Sequence, residues 1–349
     1  MQIRLGAYGG IVAAGILALL VMSPPVEAQT SGSSTNGEAS STWSTPRTQW
    51  GHPDLQGTYH VNDNVGVPIE RPARFGTRAV LTDEEFAERE KELQRRAKDD
   101  KADRQKLALG ETGDGPEHWY ERGKASRRTS LVVDPPDGQI PLTAEMRKRS
   151  ADWRIQSRGN NVNSWVDFDL WDRCIIKGMP TLMTPQGYNN AFRIFQTPSY
   201  VAILYEVIHD VRIIPLDGRP HVDASVRQWY GDSRGHWEGD TLVVDITNFS
   251  DKTKGNQQPM GPYRGGGRMQ HIVERFTRTG PNGMQYRVTL EDPEAFLKPW
   301  TMDIPAAKDD SYRMFEYACH EGNYSMRNML SGARAMEKAA EAEKKKSSH

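Results

Sequence analysis

Apolar and polar residues alternate along the second half of the chain in the manner of β-strands. From Ala191 onwards, segments rich in β-branched and aromatic residues are separated by turn residues. The predicted strands are Phe192–Gln196, Tyr200–Val207, Val211–Leu216, Thr241–Thr247, Gln270–Arg278, Met284–Glu291, Pro299–Ile304 and Tyr312–Cys319. Their short connections, rich in Gly, Asp and Asn, and the lack of intervening helical periodicity predict an antiparallel sheet.

The number of predicted strands bears on how this sheet closes. About eight strands enclose a volume suited to one small ligand. The sequence therefore favours a mainly β fold, an antiparallel lipocalin-like or bent β-barrel, over the alternative of a two-sheet sandwich. We expect the barrel domain to occupy residues 161–331.

The first half of the chain carries helix signals but no hydrophobic core of its own. Thr82 and Glu85 form a capping box at the start of a charged helix that is predicted to run to about Leu109. Its apolar positions are too sparse for a broad buried stripe, so we expect the helix to lie on the surface.

An extended arm and a second helix are predicted next. Residues 129–143 combine a β-rich run with a Pro-Pro-Asp-Gly turn, which is typical of an arm laid across a larger body. A shorter helix is predicted from Ala144 to about Ser157. We therefore expect residues 49–160 to wrap around the barrel.

The N-terminus has the pattern of a secretory signal peptide. Arg4 precedes an apolar run from Ile11 to Met22, and two prolines and a small-residue site ending at Ala28 follow it. The run is shorter than the roughly 20 residues of a spanning helix, so cleavage after Ala28 is favoured over a retained anchor. We expect a flexible leader at residues 29–48, a charged helix or tail at residues 332–349, and a periplasmic or extracellular location.

Composition narrows the class of partner. The chain has 45 Lys+Arg and 46 Asp+Glu, a net charge of −1, and no obvious segregation of charge in its body. A balance so close to zero argues against nucleic acid as a partner and, once the signal peptide is removed, against membrane insertion. The expected partner is a small-molecule ligand.

Two cysteines suggest one disulfide and no cysteine-rich metal site. In an oxidising compartment, Cys174 and Cys319 are expected to pair, and a reactive thiol beside His320 is the alternative. No spacing typical of zinc ligands occurs, so neither a metal nor another cofactor is expected. If a metal were bound, His209 and His221 would be the pair to suspect.

Histidines with neighbouring carboxylates are the candidates for acid–base chemistry, because rigid strand ends and loops would present them. The candidate catalytic residues are His209, Asp210, His221, Glu316, His320 and Glu321. His209 or His320 would act as the base, and Asp210 or Glu321 would orient it. His221 or Glu316 would act as the acid, and Arg212 would stabilise negative charge.

Two further observations bear on these assignments. On the predicted last strand, Glu316 and His320 share a face across Ala318, which leaves room for a ligand. His271 is a fourth histidine with charged neighbours, but the rows of its strand mix polar and apolar residues. A cross-strand ion pair, such as Glu274 with Arg287, is an equally good interpretation of that strand.

Aromatic residues near Arg and Asn donors suggest a site for a sugar or a phenolic ring. The candidate binding residues are Asn189, Asn190, Arg212, Arg227, Trp229, Trp237 and Trp300. Large aromatic residues also fill the cores of β proteins, so the alternative is that these side chains are structural.

Several longer motifs resemble an exported, functionally uncharacterised family from soil and environmental bacteria, with many paralogues in each genome. The motifs are Pro53–Gly57, Val133–Gly138, Leu170–Cys174, Tyr188–Asn190, Ile208–His221, Gly231–Val244 and Tyr317–Tyr324. The resemblance spans most of the chain after the signal peptide. It implies export and a single domain, and it assigns no catalytic role.

Two function hypotheses follow, and a third is weaker. The first is a cofactor-independent enzyme, a lyase, hydratase, isomerase or hydrolase, that acts on a small organic, aromatic or sugar-like ligand. The alternative is a periplasmic binding protein for a hydrophobic or aromatic small molecule, and an envelope assembly component is the third. Convergence of the polar side chains on one cavity would distinguish an enzyme from a carrier.

Overall fold

The alternating segments form the wall of a nearly closed, antiparallel barrel in the computed structural model, which describes residues 43–108, 121–149, 163–168, 170–253 and 267–347. The strands are β1 (Gly57–His60), β2 (Val132–Asp134), β3 (Ala191–Gln196), β4 (Tyr200–Tyr205), β5 (Val211–Pro215), β6 (Asp232–Glu238), β7 (Thr241–Thr247), β8 (His271–Gly280), β9 (Gly283–Glu291) and β10 (Trp300–Lys308). Nine of them follow one another in the order β5-β4-β3-β1-β10-β9-β8-β7-β6, and β2 also pairs with β10. The predicted mainly β, barrel-like fold is confirmed.

Strand alternation sorts side chains between the inside and outside of the barrel. On β8, Ile272, Glu274 and Phe276 point inwards and are fully buried, whereas His271 and Arg275 lie on the outer row. The interior is filled by large side chains such as Trp300, and each such burial contributes about 1.5–3 kcal/mol. The barrel is therefore a packed core.

Antiparallel order gives the barrel two distinct rims. We call the site rim the one at which β3, β5, β6, β8 and β10 begin and β4, β7 and β9 end. Residues 43–56 cover the opposite rim: the Leu55 N–H donates to Gln196 Oε1 at 2.6 Å, and Arg278 donates to the Asp54 carbonyl at 3.2 Å. Because the N-terminal segment covers the opposite rim, a ligand would approach the barrel at the site rim.

The wall is completed at a seam where β5 and β6 meet without strand pairing. Gly235 faces β5 there, and a Cβ built on it would lie 2.8 Å from Ile214 Cγ2 and 2.8 Å from Leu216 Cδ2. Since those distances are shorter than a carbon–carbon contact, the side chains of β5 use the space that glycine leaves. Side-chain packing closes the seam.

In the described part of the chain, three α-helices accompany the barrel: α1 (Asp83–Ala108), α2 (residues 144–149) and α3 (Ser325–Ser347). The capping box of α1 is confirmed, because the Thr82 N–H donates to Glu85 at 2.8 Å and the Glu85 N–H donates to Thr82 Oγ1 at 3.3 Å. Within the described part of the chain, no helix is long and apolar enough to cross a membrane.

One strand prediction is wrong, and one strand of the sheet was not predicted. Residues 312–319 are irregular, although their aromatic residues have high β propensity, because no strand of the described sheet pairs with them. Because that strand does not form, the prediction that Glu316 and His320 share one of its faces is also wrong. β6 was not predicted because Asp, Gly and Glu are poor strand formers, yet its register with β7 is continuous from Asp232↔Thr247 to Glu238↔Thr241.

The N-terminal segment contributes to the wall as well as covering it. β1 lies between β3 and β10 in the sheet. Residues 43–48 contact the barrel, where Thr45 and Thr48 are buried and Arg47 pairs with Asp240. The predicted signal peptide, the first part of the leader and the end of the predicted 144–157 helix lie outside the described residues.

Candidate functional site

Two segments cover the site rim, and we call them the cover segments: residues 170–190 and residues 312–323. Gln270, at the start of β8, donates to the Met179 carbonyl at 3.2 Å, which places the first segment over the rim. The Phe315 N–H donates to Glu206, just after β4, at 2.7 Å, and this contact places the second segment. The chain thus returns twice to the same end of the barrel.

A disulfide joins the cover segments. Cys174 and Cys319 are bonded, with their Cα atoms 5.7 Å apart, so the predicted pairing is confirmed. The two residues are separated by 145 positions, and closing such a loop stabilises a fold by about 5 kcal/mol in the chain-entropy model. The bond holds two irregular segments in a fixed relation.

An open cleft of about 280 Å³ lies beside this disulfide. Its lining combines three aromatic rings with a carboxylate and an amide: Trp171, Asp172, Tyr188, Tyr317, Cys319 and Asn323. Trp171 Nε1 donates to Tyr317 Oη at 3.0 Å, and the rings of Trp171 and Tyr188 are 6.4 Å apart and tilted. Asn323 Nδ2 donates to Cys174 Sγ at 3.1 Å, which fixes the orientation of the amide.

The electrostatics of the cleft favour neutral hydrogen-bond donors. Burial, together with Tyr317 and Asp172, raises the pKa of Tyr188, so this phenol keeps its proton at neutral pH. Lys177 is fully buried, and its Nζ lies 3.9 Å from the centroid of the Trp171 ring. This contact between a lysine amino group and an indole ring helps to position Trp171.

A buried ion pair lies below the first cover segment. Arg212 on β5 and Glu274 on β8 form a salt bridge inside the barrel, and Tyr286 donates to Glu274 at 2.8 Å. Burial alone lowers the pKa of Arg212, but Glu274 and the neighbouring tyrosines reverse this and raise it. Arg212, a candidate in both function hypotheses, is thus committed to a structural pair.

The candidate catalytic residues occupy different places. His209 is exposed at the turn after β4, and the carboxylate of Asp210 accepts the Val211 N–H at 2.9 Å. Glu316, His320 and Glu321 are exposed on the second cover segment. His221 lies outside the barrel wall. In the described part of the chain, no hydrogen bond or ion pair joins any two of these six side chains.

The remaining candidate binding residues are also dispersed. Trp300 is a fully buried core residue, and Trp237 packs against the core with its ring 5.4 Å from that of His52. Asn190 is buried and bonds to Asn62 at 2.9 Å. The other three, Asn189, Arg227 and Trp229, are partly buried. None of them is among the described lining residues of the cleft.

His221 belongs to a second polar group, a chain of carboxylates and imidazoles on the outer face near the site rim. His221 Nδ1 lies 2.8 Å from Asp232, and its Nε2 lies 2.7 Å from Asp245. Asp245 also lies 2.8 Å from His271 Nε2, and His271 Nδ1 lies 3.4 Å from Glu291. Because both nitrogens of each ring face carboxylates, all four contacts are hydrogen bonds only when both imidazoles are protonated.

The shared carboxylate of this chain titrates with its partners. Hydrogen bonding from His271, together with His221, outweighs partial burial and lowers the pKa of Asp245. Hydrogen bonding to Asp245, opposed by burial and supported by Glu291, raises the pKa of His271. Among the described residues, no group of three or more His, Cys, Asp or Glu side chains has a geometry that would hold a metal ion.

Residues that the sequence did not single out make up most of both groups. The five cleft residues that were not among the candidates are Trp171, Asp172, Tyr188, Tyr317 and Asn323. The signal for four of these five lay in two motifs next to the cysteines, which the disulfide brings together.

Comparison of the chain with family models, curated proteins and solved structures found no match.

Proposed function

We propose that the protein is an exported binding protein whose ligand, a small hydroxylated ring of the sugar or phenol class, occupies the cleft beside the Cys174–Cys319 disulfide. The observation that carries the proposal is the convergence of aromatic, carboxylate and amide side chains on one cleft. The candidate catalytic residues do not converge in this way. Binding therefore has more support than catalysis.

Trp171 supplies the platform for the ring. Lys177 is fully buried, so the indole face that it covers is not the face turned towards the open cleft. The remaining face is available to the apolar side of a sugar or to a phenolic ring, as in other apolar ligand sites with few polar groups. The Trp171 N–H is already donated to Tyr317, so its contribution is stacking.

Polar groups around the platform would select hydroxyl groups on the ligand. The exposed carboxylate of Asp172 accepts hydrogen bonds, whereas the Tyr188 phenol keeps its proton and interacts with Tyr317. A carboxylate and phenolic hydroxyl groups around one aromatic platform suit a neutral ligand with several hydroxyl groups. A volume of about 280 Å³ limits the bound part to about one ring with its substituents.

Export is supported by two independent features. The first 28 residues have the charged start, apolar run and small-residue site of a signal peptide. The disulfide is of the kind that persists in oxidising compartments. Three of the motifs that carry the resemblance to an exported family, Leu170–Cys174, Tyr188–Asn190 and Tyr317–Tyr324, meet at this cleft.

Ligand screening of the mature protein tests the proposal. Monosaccharides, simple phenols and small quaternary ammonium ions would be compared by thermal shift and by quenching of tryptophan fluorescence. Asp172→Asn removes the exposed carboxylate while preserving shape, and it should weaken binding about tenfold, corresponding to the loss of one charged hydrogen bond. Asp137→Asn, in the exposed turn after β2, is the matched control and should bind as the wild type does.

The outcomes are distinct. Binding of a sugar or phenol that is weakened by Asp172→Asn and unchanged by Asp137→Asn supports the proposal. Binding that neither substitution alters places the ligand elsewhere and refutes the cleft as its site. Absence of binding across the panel refutes the ligand class.

The Asp232–His221–Asp245 arrangement favours an acid–base enzyme as a second candidate. A histidine held between two carboxylates has a fixed orientation, which an acid–base group requires. Here the compounds of the panel would be analysed for consumption as well as binding. Turnover that is lost in His221→Ala and retained in Asp172→Asn would favour this candidate over a carrier.

A further inference from the structure

A tyrosine hydroxyl lies between two carboxyl groups where the second cover segment meets the barrel. Tyr312 Oη is 2.9 Å from Glu121 Oε1 and 3.0 Å from each carboxyl oxygen of Glu206. Glu206 follows β4 and is fully buried, and its Oε1 also accepts the Phe315 N–H at 2.7 Å. These contacts fix the start of the segment that supplies Tyr317, Cys319 and Asn323 to the cleft.

Two hydrogen bonds between one phenol and two carboxyl groups require two hydrogens, but a phenol and two ionised carboxylates have only one. A phenolic hydroxyl has a single hydrogen and can donate to only one carboxylate at a time. Its oxygen can accept a hydrogen bond, but an ionised carboxylate has none to donate. Both contacts are attractive only when one of the two carboxyl groups is protonated.

Among the described residues, the Glu206 carboxylate contacts the Tyr312 hydroxyl and the Phe315 N–H, and no ion pair to it is found there. The charged or titratable side chains with the largest effects on Glu206 are Glu121 and Tyr312, and those with the largest effects on Tyr312 are Glu121 and Glu206. Burial, opposed by bonds from Phe315 and Tyr312 and reinforced by Glu121, raises the pKa of Glu206. Burial and the two carboxylates likewise raise the pKa of Tyr312, which leaves the phenol protonated.

The group is connected to both walls of the cleft. Glu121 donates its backbone N–H to the Gly187 carbonyl at 2.8 Å, and its Oε2 accepts the Asn190 N–H at 3.0 Å, on either side of Tyr188. Tyr312 lies five residues before Tyr317 on the opposite wall. Both walls therefore depend on the bonds made through Glu121 and Tyr312.

We propose that Glu121, Tyr312 and Glu206 share one proton that anchors the second cover segment, and that loss of this proton loosens the cleft as pH rises. The effect on ligand retention rests on the function proposed above, but the proton-dependent anchor does not. At lower pH the segment is held and a ligand is retained. At higher pH two carboxylates face one hydroxyl, the anchor weakens and the ligand is released.

Hydrogen exchange of the Phe315 amide tests the anchor without any ligand. The protection factor is first corrected for the intrinsic pH dependence of exchange. In wild type it should then fall by up to about tenfold per pH unit above the pKa of the pair, because the opening is linked to the loss of one proton. Glu121→Gln should abolish this dependence. The oxygen of the introduced amide would still accept from Asn190, while its N–H donates to Tyr312 and Tyr312 donates to Glu206.

A surface substitution and a spectroscopic measurement complete the test. Glu341→Gln, on the exposed part of α3, should keep the wild-type pH dependence. Infrared difference spectra of wild type should show the carbonyl band of one protonated carboxyl above the pH at which ordinary glutamates ionise, and Glu121→Gln should lack it. This band is measured in the wild type, so the test stands even if the variant is unstable.

Each result decides the proposal. A flat protection profile in wild type, or no protonated carboxyl band, overturns it. A pH-dependent profile that persists unchanged in a folded Glu121→Gln variant also overturns it. If the anchor behaves as expected while no panel compound binds, the proton-sharing group stands and the proposed ligand-binding function fails.

Discussion

Arg212 and Glu274 face each other across the barrel interior from strands that are not neighbours in the sheet, and they form an ion pair in which neither side chain is more than 5% exposed. The pair joins β5, at one edge of the seam, to β8, the third strand from it going round through β6 and β7. Tyr286 adds a hydrogen bond to the same carboxylate. The pair therefore helps to hold β5 in the wall beside the seam, where strand pairing is absent.

Removal of one member of this pair should destabilise the fold strongly. Arg212→Met leaves the Glu274 carboxylate buried without its cation, which costs about 3–5 kcal/mol in comparable pairs. The double variant Arg212→Met, Glu274→Leu removes both charges and should recover much of that loss. Urea unfolding of the two variants and the wild type measures the difference. A single variant as stable as wild type would show that the pair makes no net contribution.

Loss of the disulfide should lower stability and loosen the cleft together. Replacing Cys174 and Cys319 by Ala removes a cross-link whose model contribution is about 5 kcal/mol, an upper value because native strain reduces it. The cover segments would then be joined only by contacts such as that of Trp171 with Tyr317. Unfolding in denaturant measures the free energy, and the accessibility of Trp171 to a soluble quencher reports the cleft.

Reduced wild type is the natural control for this variant. It should match the double alanine variant in both stability and quencher accessibility. If quencher accessibility stays at the wild-type level in both proteins, the walls of the cleft do not depend on the cross-link.

The sequence correctly predicted features that depend on residues close together in the chain or on residue type alone. The capping box at Thr82 and Glu85, the alternation on β8 and β9, and the cysteine pairing were all readable from residue types and the expected compartment. β6 was not, because its register is imposed by its partner β7. Aromatic residues in the second cover segment looked like a strand because β propensity does not show whether a partner strand exists.

The candidate site depended on contacts that no local pattern contains. Trp171 and Tyr317 are 146 positions apart and meet only because the disulfide brings their segments together. The alternative interpretation of β8, an ion pair such as Glu274 with Arg287, was wrong for a related reason. Glu274 points into the barrel, whereas Arg287 lies opposite Arg275 on the outer row, and the true partner, Arg212, is reached across the interior.

The carboxylate–imidazole chain should make stability depend on pH. The pKa of His271 is raised in the folded state. Its contribution to the free energy of unfolding is therefore fully present below the unfolded-state pKa of about 6.5, and it is lost as pH rises through the folded-state pKa. The folded pKa of Asp245 is lowered from 3.8, so its contribution is present above that value and is lost as pH falls through the folded one. Their contribution is therefore greatest between those limits.

Asp245→Asn tests this window. The side chains of both groups are more than a third exposed, at 34% for His271 and 38% for Asp245, so solvent screening limits each contact to about 1 kcal/mol or less. Urea unfolding at about pH 5 and about pH 8 should show a smaller difference in stability for the variant than for wild type. His236→Asn, which alters an exposed contact with Glu238, is the control and should retain the wild-type difference. An unchanged difference in Asp245→Asn would contradict the prediction.

The seam should be sensitive to a single methyl group. Gly235→Ala places a Cβ 2.8 Å from both Ile214 and Leu216, so β5 must shift away from β6, and overpacking of this kind costs about 1–3 kcal/mol. Gly280→Ala adds the same atom where nothing lies within 4 Å, and it should be tolerated. Adding Leu216→Ala to Gly235→Ala should return part of the lost stability, because it removes one of the two clashing side chains. Equal stability of the Gly235 and Gly280 variants in urea would mean that β5 moves without cost and that packing does not hold the barrel closed.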